Sequence, residues 1–262
     1  MRTLLVAVQF LTRIPVPVAG ATEREIGRSA ACFPLVGLLI GGVLLGSYLL
    51  VGLVFPLVVA RVLAWVFLIL LSGAFHLDGL ADTVDGLYGG KDRDDALRIM
   101  KDPHIGAMGV LAIGVCLLLK AAVGAVLPES IFRAALVTMP VVGHSAMVAA
   151  LGLPYARRAG LGKVFADHRA TFDTVFATSL ATGVAFGLLK YAGLGALLSA
   201  ALSSAILLTV AWRKVRGVTG DVCGAVNEVA EIGFLLGLSA LSGVAFTPIE
   251  RGLPQAFWRW HL

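Results

Sequence analysis

Residues 31–54 read ACFPLVGLLIGGVLLGSYLLVGLV, with no charged side chain among them. A helix needs roughly 20 mostly apolar residues to cross the hydrocarbon layer of a bilayer, so this stretch reads as a membrane span. Working outward, similar runs occupy about 57–75, 105–126, 133–153, 174–190, 191–211 and 229–247. The fifth and sixth runs abut at Lys190–Tyr191, which requires either a very tight turn or one broken pair. Helices satisfy their own backbone hydrogen bonds in lipid. The expected fold is therefore all-α: a polytopic integral membrane protein of about seven transmembrane helices, with six to eight as the range. Residues 1–262 form a single membrane domain, with polar loops at about 76–104, 154–173 and 212–228.

Composition agrees. Hydrophobic residues make up 58% of the chain and charged ones 14%, against roughly 45–50% and about 25% in a soluble domain. A soluble protein of 262 residues lacks the interior to hide so much apolar surface. Soluble globular and disordered classes are excluded. The three cysteines, Cys32, Cys116 and Cys223, are scattered and define neither a disulfide framework nor a zinc site.

The net charge of +5 does not point to nucleic acid in such a chain, because Lys and Arg accumulate in cytoplasmic loops. With the N-terminus inside, the inner segments hold fifteen Lys and Arg and the outer segments four. That bias favours an N-terminus inside and a C-terminus outside, with the three long polar loops on the cytoplasmic face.

Seven of the ten aspartates lie between Asp78 and Asp102. Within FHLDGLADTVDGLYGG (75–90), Asp78, Asp82 and Asp85 are spaced by four and three, which places them on one face of a helix. Three adjacent like charges need an offset, and a hard divalent cation with oxygen ligands supplies one. Asp92, Asp94 and Asp95 stand among Lys91, Arg93 and Arg98 and read as a solvated face. His76 is either a ligand or general base, or an interfacial residue. A second acidic segment, TGDVCGAVNEVAE (219–231), carries Asp221, Asn227, Glu228 and Glu231. If helical, it puts Asp221, Glu228 and Glu231 on a common face, with Glu228 and Glu231 at or inside the membrane boundary. Arg157, Arg158 and Lys163, with Arg13 and Lys101, suit a phosphorylated substrate, because Arg grips phosphate oxygens with a planar fork. Metal-gathered carboxylates beside cationic loops fit phosphoryl transfer, in which a carboxylate orients or deprotonates an attacking hydroxyl.

The order of motifs is FLTRIPVP (10–17), FPLVGLLIG (33–41), FHLDGLADTVDGLYGG (75–90), IMKDPHIGAMGVLA (99–112), ARRAGLGKVF (156–165) and TGDVCGAVNEVAE (219–231). Together they resemble the cobalamin synthase family, also called adenosylcobinamide-GDP ribazoletransferase, nearly end to end. The resemblance implies a Mg²⁺-dependent enzyme of the bacterial cytoplasmic (inner) membrane whose partners are its substrates and membrane lipid, not nucleic acid. A hydroxyl of α-ribazole, or of its 5′-phosphate, attacks the cobinamide-linked phosphate of adenosylcobinamide-GDP, GMP leaves, and adenosylcobalamin or its 5′-phosphate forms. By that resemblance Asp78, Asp82 and Asp85 hold Mg²⁺ against the pyrophosphate, and Asp221 and Glu228 complete the site or act as base. Arg157 and Lys101 then face phosphate oxygens. Arg13, Lys163 and Asn227 are further substrate-binding candidates, and Asp82, Asp85, Glu228 and His76 the catalytic ones. A homo-oligomer, or association with other cobalamin-pathway enzymes, is a further expectation.

Two rivals remain from the sequence. Asp82–x–x–Asp85–Gly86 matches the opening of the CDP-alcohol phosphotransferase signature, but Leu87–Gly90 departs from its continuation. An ion-coupled secondary transporter would use Arg61, Lys120, His144, Glu228 and Glu231 as an ion path, yet the chain shows no internal repeat and concentrates its charge in loops.

Overall fold

The computed structural model describes residues 2–241. The helices, in chain order, are α1 Arg2–Leu11, α2 Glu23–Arg28, α3 Phe33–Val51, α4 Leu57–Ser72, α5 Phe75–Gly89, α6 Arg93–Ile99, α7 Ala107–Val126, α8 Glu129–Ala150, α9 Leu161–His168, α10 Thr171–Val215 and α11 Gly220–Leu241. No β-strand occurs among the described residues, only one isolated bridge between Tyr155 and Val218. Five helical segments are long and apolar enough to cross a membrane, or six if the bent pair α4 and α5 counts as one span.

The 45-residue α10 contains a non-helical residue, Lys190, at φ 53° and ψ −137°. A Cβ on Gly193 would strike the carbonyl of Ala185, two residues that a straight helix would hold about 12 Å apart. The chain therefore doubles back, and its arms 171–189 and 191–215 are two passages. Of the two alternatives at Lys190–Tyr191, this is the very tight turn.

The other boundaries shift for local reasons. Gly73 and Ala74 are both left-handed, at φ 64° and 60°, and they turn α5 by 86° away from α4. The straight helix of the second expected span thus ends at Ser72, and α5 continues in a new direction. Much of what was expected as loop is helical. Asp92 caps α6 by accepting the Asp95 amide at 2.9 Å, and α9 occupies Leu161–His168 within 154–173. The last span starts at Gly220, not at 229, because Thr219 accepts the Val222 amide at 3.2 Å and nucleates the helix there. Residues 242–247 of that expected span, and Arg251 and Arg259 of the charge count, lie outside the described residues.

Small residues set the closest crossings, as expected where lipid offers no hydrophobic drive between helices. A Cβ on Gly37 would lie 2.6 Å from the Pro140 carbonyl oxygen, and one on Gly41 2.6 Å from that of Val137, so α3 and α8 touch backbone to backbone. Gly237 brings α11 against Ala196 on the second arm of α10. Arg61 on α4 is buried and donates to the carbonyls of Gly124 and Ala125 at 2.9 Å while pairing with Glu129 at 3.0 Å. A cation at the C-terminus of α7 offsets that end of its dipole.

Candidate active site

The acidic residues come together where α5 crosses the start of α11. Gly79 makes the approach possible: a Cβ there would lie 2.9 Å from the Asp221 carbonyl oxygen and 3.3 Å from the Gly224 Cα. Asp78 and Asp82 on α5 and Asp221 in the first turn of α11 thereby become electrostatic neighbours. Burial, then the Asp78 and Asp221 carboxylates, push the Asp82 carboxyl up to about 7, while Arg157 opposes the shift.

Arg157 arrives by backbone pairing. The Ala156 amide donates to the Val218 carbonyl at 2.8 Å, and the Val218 amide to the Pro154 carbonyl at 2.9 Å. This pins residues 154–157 beside the entry to α11. Arg157 Nη2 then stands 2.8 Å from Asp221 Oδ2. Arg93 secures the arrangement by donating to Ala156 O at 2.7 Å and Val215 O at 3.1 Å. In sequence Arg93 reads as one of a group of solvated charges, since nothing in its local pattern signals carbonyls more than sixty residues away. Tyr155 was also missed. Its hydroxyl accepts the Gly220 amide at 3.0 Å.

A cavity of 460 Å³ opens onto this cluster, with Asp78, Asp221, Arg157 and Lys101 on its polar side. Lys163 is placed elsewhere. It pairs with Asp167 and lines a second cavity of 490 Å³ with Arg169. Arg13 packs at the α4–α5 turn, its guanidinium where a side chain on Gly73 would go, and its amide donates to Leu71 O at 2.7 Å.

Four expected site residues have other engagements. Asp85 receives the Gly106 amide at 2.7 Å on one carboxylate oxygen and the Gly109 amide at 2.8 Å on the other. It caps the N-terminus of α7, where a carboxylate meets the positive end of the helix dipole. Glu228 lies seven residues beyond Asp221 on the same helix face, hence about 10 Å deeper at 1.5 Å per residue. There Lys120 Nζ contacts Glu228 at 2.7 Å and Glu231 at 2.6 Å, and the Cys116 thiol donates to Glu228 at 3.2 Å. Asn227 is fully buried beside them. With its amide oriented to suit both neighbours, it accepts from the His144 amide at 3.1 Å and donates to Glu231 at 3.3 Å. His76, two residues before Asp78, sits about 200° around the helix from it and is buried at 4% exposure, its ring 5.1 Å from that of His144. These residues form an internal polar layer beneath the cluster.

Among the described residues, no three His, Cys, Asp or Glu side chains converge closely enough to hold a metal ion alone. Mg²⁺ is commonly held by one or two carboxylates, with substrate phosphates and waters completing its shell. The crowding of Asp78, Asp82 and Asp221 around one arginine, with Asp82 pushed up by burial and then by its acidic neighbours, fits that mode of binding.

Fold and site thus define a polytopic helical membrane protein with an acidic cluster and facing cations suited to a phosphorylated ligand. The sequence matches the family described as cobalamin-5-phosphate synthase over residues 3–239, and the chain belongs to that family. It is 43% identical to the adenosylcobinamide-GDP ribazoletransferase of Pseudomonas putida (strain W619) over 89% of this chain and 97% of that protein. The protein of the same name from Caldanaerobacter subterraneus subsp. tengcongensis is 34% identical over 88% of this chain and 95% of its own length. No solved structure matches the chain.

Proposed function

We propose that this chain is an adenosylcobinamide-GDP ribazoletransferase, the enzyme of the final assembly step of cobalamin biosynthesis. The observation that carries the reading is that Asp78, Asp221 and Arg157 line one cavity, with Asp82 as their electrostatic neighbour. A hydroxyl of α-ribazole, or of its 5′-phosphate, attacks the phosphorus attached to cobinamide. The bond to the GMP oxygen breaks, a new P–O bond forms, the hydroxyl proton passes to a base, and GMP departs. Asp78, Asp82 and Asp221 would hold Mg²⁺, which neutralises the diphosphate and stabilises the leaving oxygen. Arg157 turns from Asp221 to the phosphate oxygens, which a planar guanidinium matches. Lys101, exposed at the cavity rim, adds a second positive charge, and a carboxylate of the cluster orients the acceptor hydroxyl.

The site faces the cytoplasm of a bacterial cell in this reading, with the N-terminus inside the inner membrane. The support is the concentration of Lys and Arg in the segments that surround the cavity.

The test is GMP release by the purified full chain in nanodiscs, given adenosylcobinamide-GDP, α-ribazole or its phosphate, and Mg²⁺. Release that stops with chelator and returns with Mg²⁺ is expected. No release at saturating concentrations of all three overturns the proposal.

A further inference from the structure

The cavity has a second wall that the phosphotransfer chemistry leaves unused. Beside the charged residues, the same cavity is lined by four phenylalanine rings: Phe10 on α1, Phe33 opening α3, Phe75 opening α5 and Phe165 on α9. Phe10 lies 5.9 Å from Phe33, 5.1 Å from Phe75 and 4.8 Å from Phe165 between ring centroids. Phe33 and Phe165, 5.3 Å apart, are buried and form the backing. Phe75 is 40% exposed and Phe10 half-buried, so these two present ring surface to the cavity.

Position makes the wall more than core packing. Phe75 and Asp78 are three residues apart on one helix, so the ring and the carboxylate share a face, separated by about 4.5 Å of axial rise. A ligand lying along that face meets an aromatic surface at one end and the phosphate-binding charges at the other. Ligand cavities of about 300–1,000 Å³ combine apolar lining with a few placed polar groups, and this one holds 460 Å³. Flat rings stack on aromatic side chains with little dependence on ring identity, because every base offers a π-face.

We infer that the phenylalanine wall, with Phe75 and Phe10 presenting its surface, binds the planar heterocyclic base of a nucleoside whose ribose end reaches Asp78, Asp221 and Arg157. This rests on the phosphotransfer reading above. Besides the adenine of its adenosyl group, which is not joined to the reacting phosphates, that reaction brings two bases carried on a ribose beside them, one on the acceptor and one on the departing nucleotide, and both share the required chemistry.

The experiment uses Phe75→Leu, which keeps apolar bulk but removes the ring, and Phe75→Trp, which enlarges it. Both are made in the full chain, at a partly exposed helix start where folding is least at risk. Stacking of about 1–3 kcal/mol per base corresponds to roughly a 5- to 150-fold change in affinity. The expected result for Phe75→Leu is a tenfold or greater rise in KM for one nucleoside substrate, with kcat little changed and with recovery in Phe75→Trp. A rise confined to α-ribazole places the acceptor base on the wall, and a rise confined to adenosylcobinamide-GDP together with lost retention of GMP places guanine there. If both KM values stay within twofold in Phe75→Leu and in Phe10→Leu, the inference is overturned. Equilibrium dialysis of α-ribazole and of GMP keeps it separable from the turnover reading. Should the wild-type chain release no GMP, retention of either compound by wild type but not by Phe75→Leu still supports the wall. Equal retention by the two proteins, or none by either, overturns it.

Discussion

Asp82 and Asp85 sit three residues apart in one acidic motif, yet the structure assigns them opposite energetic roles. Replacing each by asparagine should separate those roles. Asp85 accepts one backbone amide on each oxygen, from Gly106 and Gly109 at the start of α7. In Asp85→Asn only one of these two positions remains an acceptor, so one amide faces an NH₂ group. Leaving a partly buried donor unpaired costs about 1–3 kcal/mol, and losing the charge at a helix N-terminus costs about 0.3–1 kcal/mol more. A loss near 2 kcal/mol is expected, within the range for capping residues. Asp82 donates no such service. Its carboxyl is pushed above the usual carboxylate range by burial and by Asp78 and Asp221. A folded-state pKa raised in this way means the ionised form opposes folding at neutral pH, most strongly above the folded value. Asp82→Asn should therefore be as stable as wild type or more so without metal. It should also lose turnover by about 10²–10³-fold or more, the scale for removing one electrostatic contact to a reacting centre. Asp85→Asn should keep turnover within about tenfold where it is still folded, since its carboxylate serves α7. Unfolding in mixed micelles with SDS, read by circular dichroism, measures the first quantity, and chromatographic GMP release measures the second. A stable but inactive Asp85→Asn, or an Asp82→Asn that unfolds more easily yet turns over normally, would refute the division of roles.

Three further outcomes follow from the same geometry. Lys120→Met leaves Glu228 and Glu231 unpaired in the interior and should cost about 3–5 kcal/mol in the same unfolding assay. Adding Glu228→Gln and Glu231→Gln to that variant should recover most of the loss, and failure to do so would show that the triad is not the source. Gly79→Ala places a methyl group 2.9 Å from the Asp221 carbonyl. Overpacking there should cost about 1–3 kcal/mol and depress GMP release by moving Asp78 and Asp82 from Asp221, whereas unchanged turnover would deny that this crossing sets the site. Asp94→Asn should alter neither stability beyond about 0.5 kcal/mol nor activity, because its side chain is 89% exposed and pairs with Arg93 at the surface.

The spans were legible in the sequence because lipid imposes a simple rule of length and apolarity on them. Even the reversal at Lys190 showed as two runs with no room between. The pairing of Asp78 with Asp82 followed from a spacing of four. Other features depend on where two helices meet, which no spacing within one helix encodes. Asp85 shares its face with Asp78 and Asp82, and only the arrival of α7 distinguishes it. Glu228 shares a face with Asp221, but the earlier start of α11 carries it about 10 Å into the bundle. His76 was read with its motif, yet a two-residue offset turns it to the far side of α5. The phenylalanine wall draws on α1, α3, α5 and α9, and in sequence each ring looks like ordinary membrane composition.

These intersections also explain how three carboxylates remain close together. Each pair among α5, α7 and α11 is joined by a different device. Asp85 fastens α5 to the amides that open α7. Lys120 fastens α7 to Glu228 and Glu231 of α11. Gly79 lets α5 rest against the backbone of α11. Repulsion between Asp78, Asp82 and Asp221 acts to open this triangle at its upper edge. The two charged links resist it from below and from the side, and Arg157 offsets part of the charge from above. The internal polar layer therefore has a use that does not require it to touch substrate. It holds the helices at the separation at which like charges stay gathered, and under the proposed reaction a cation with its diphosphate would relieve a repulsion the scaffold has already contained.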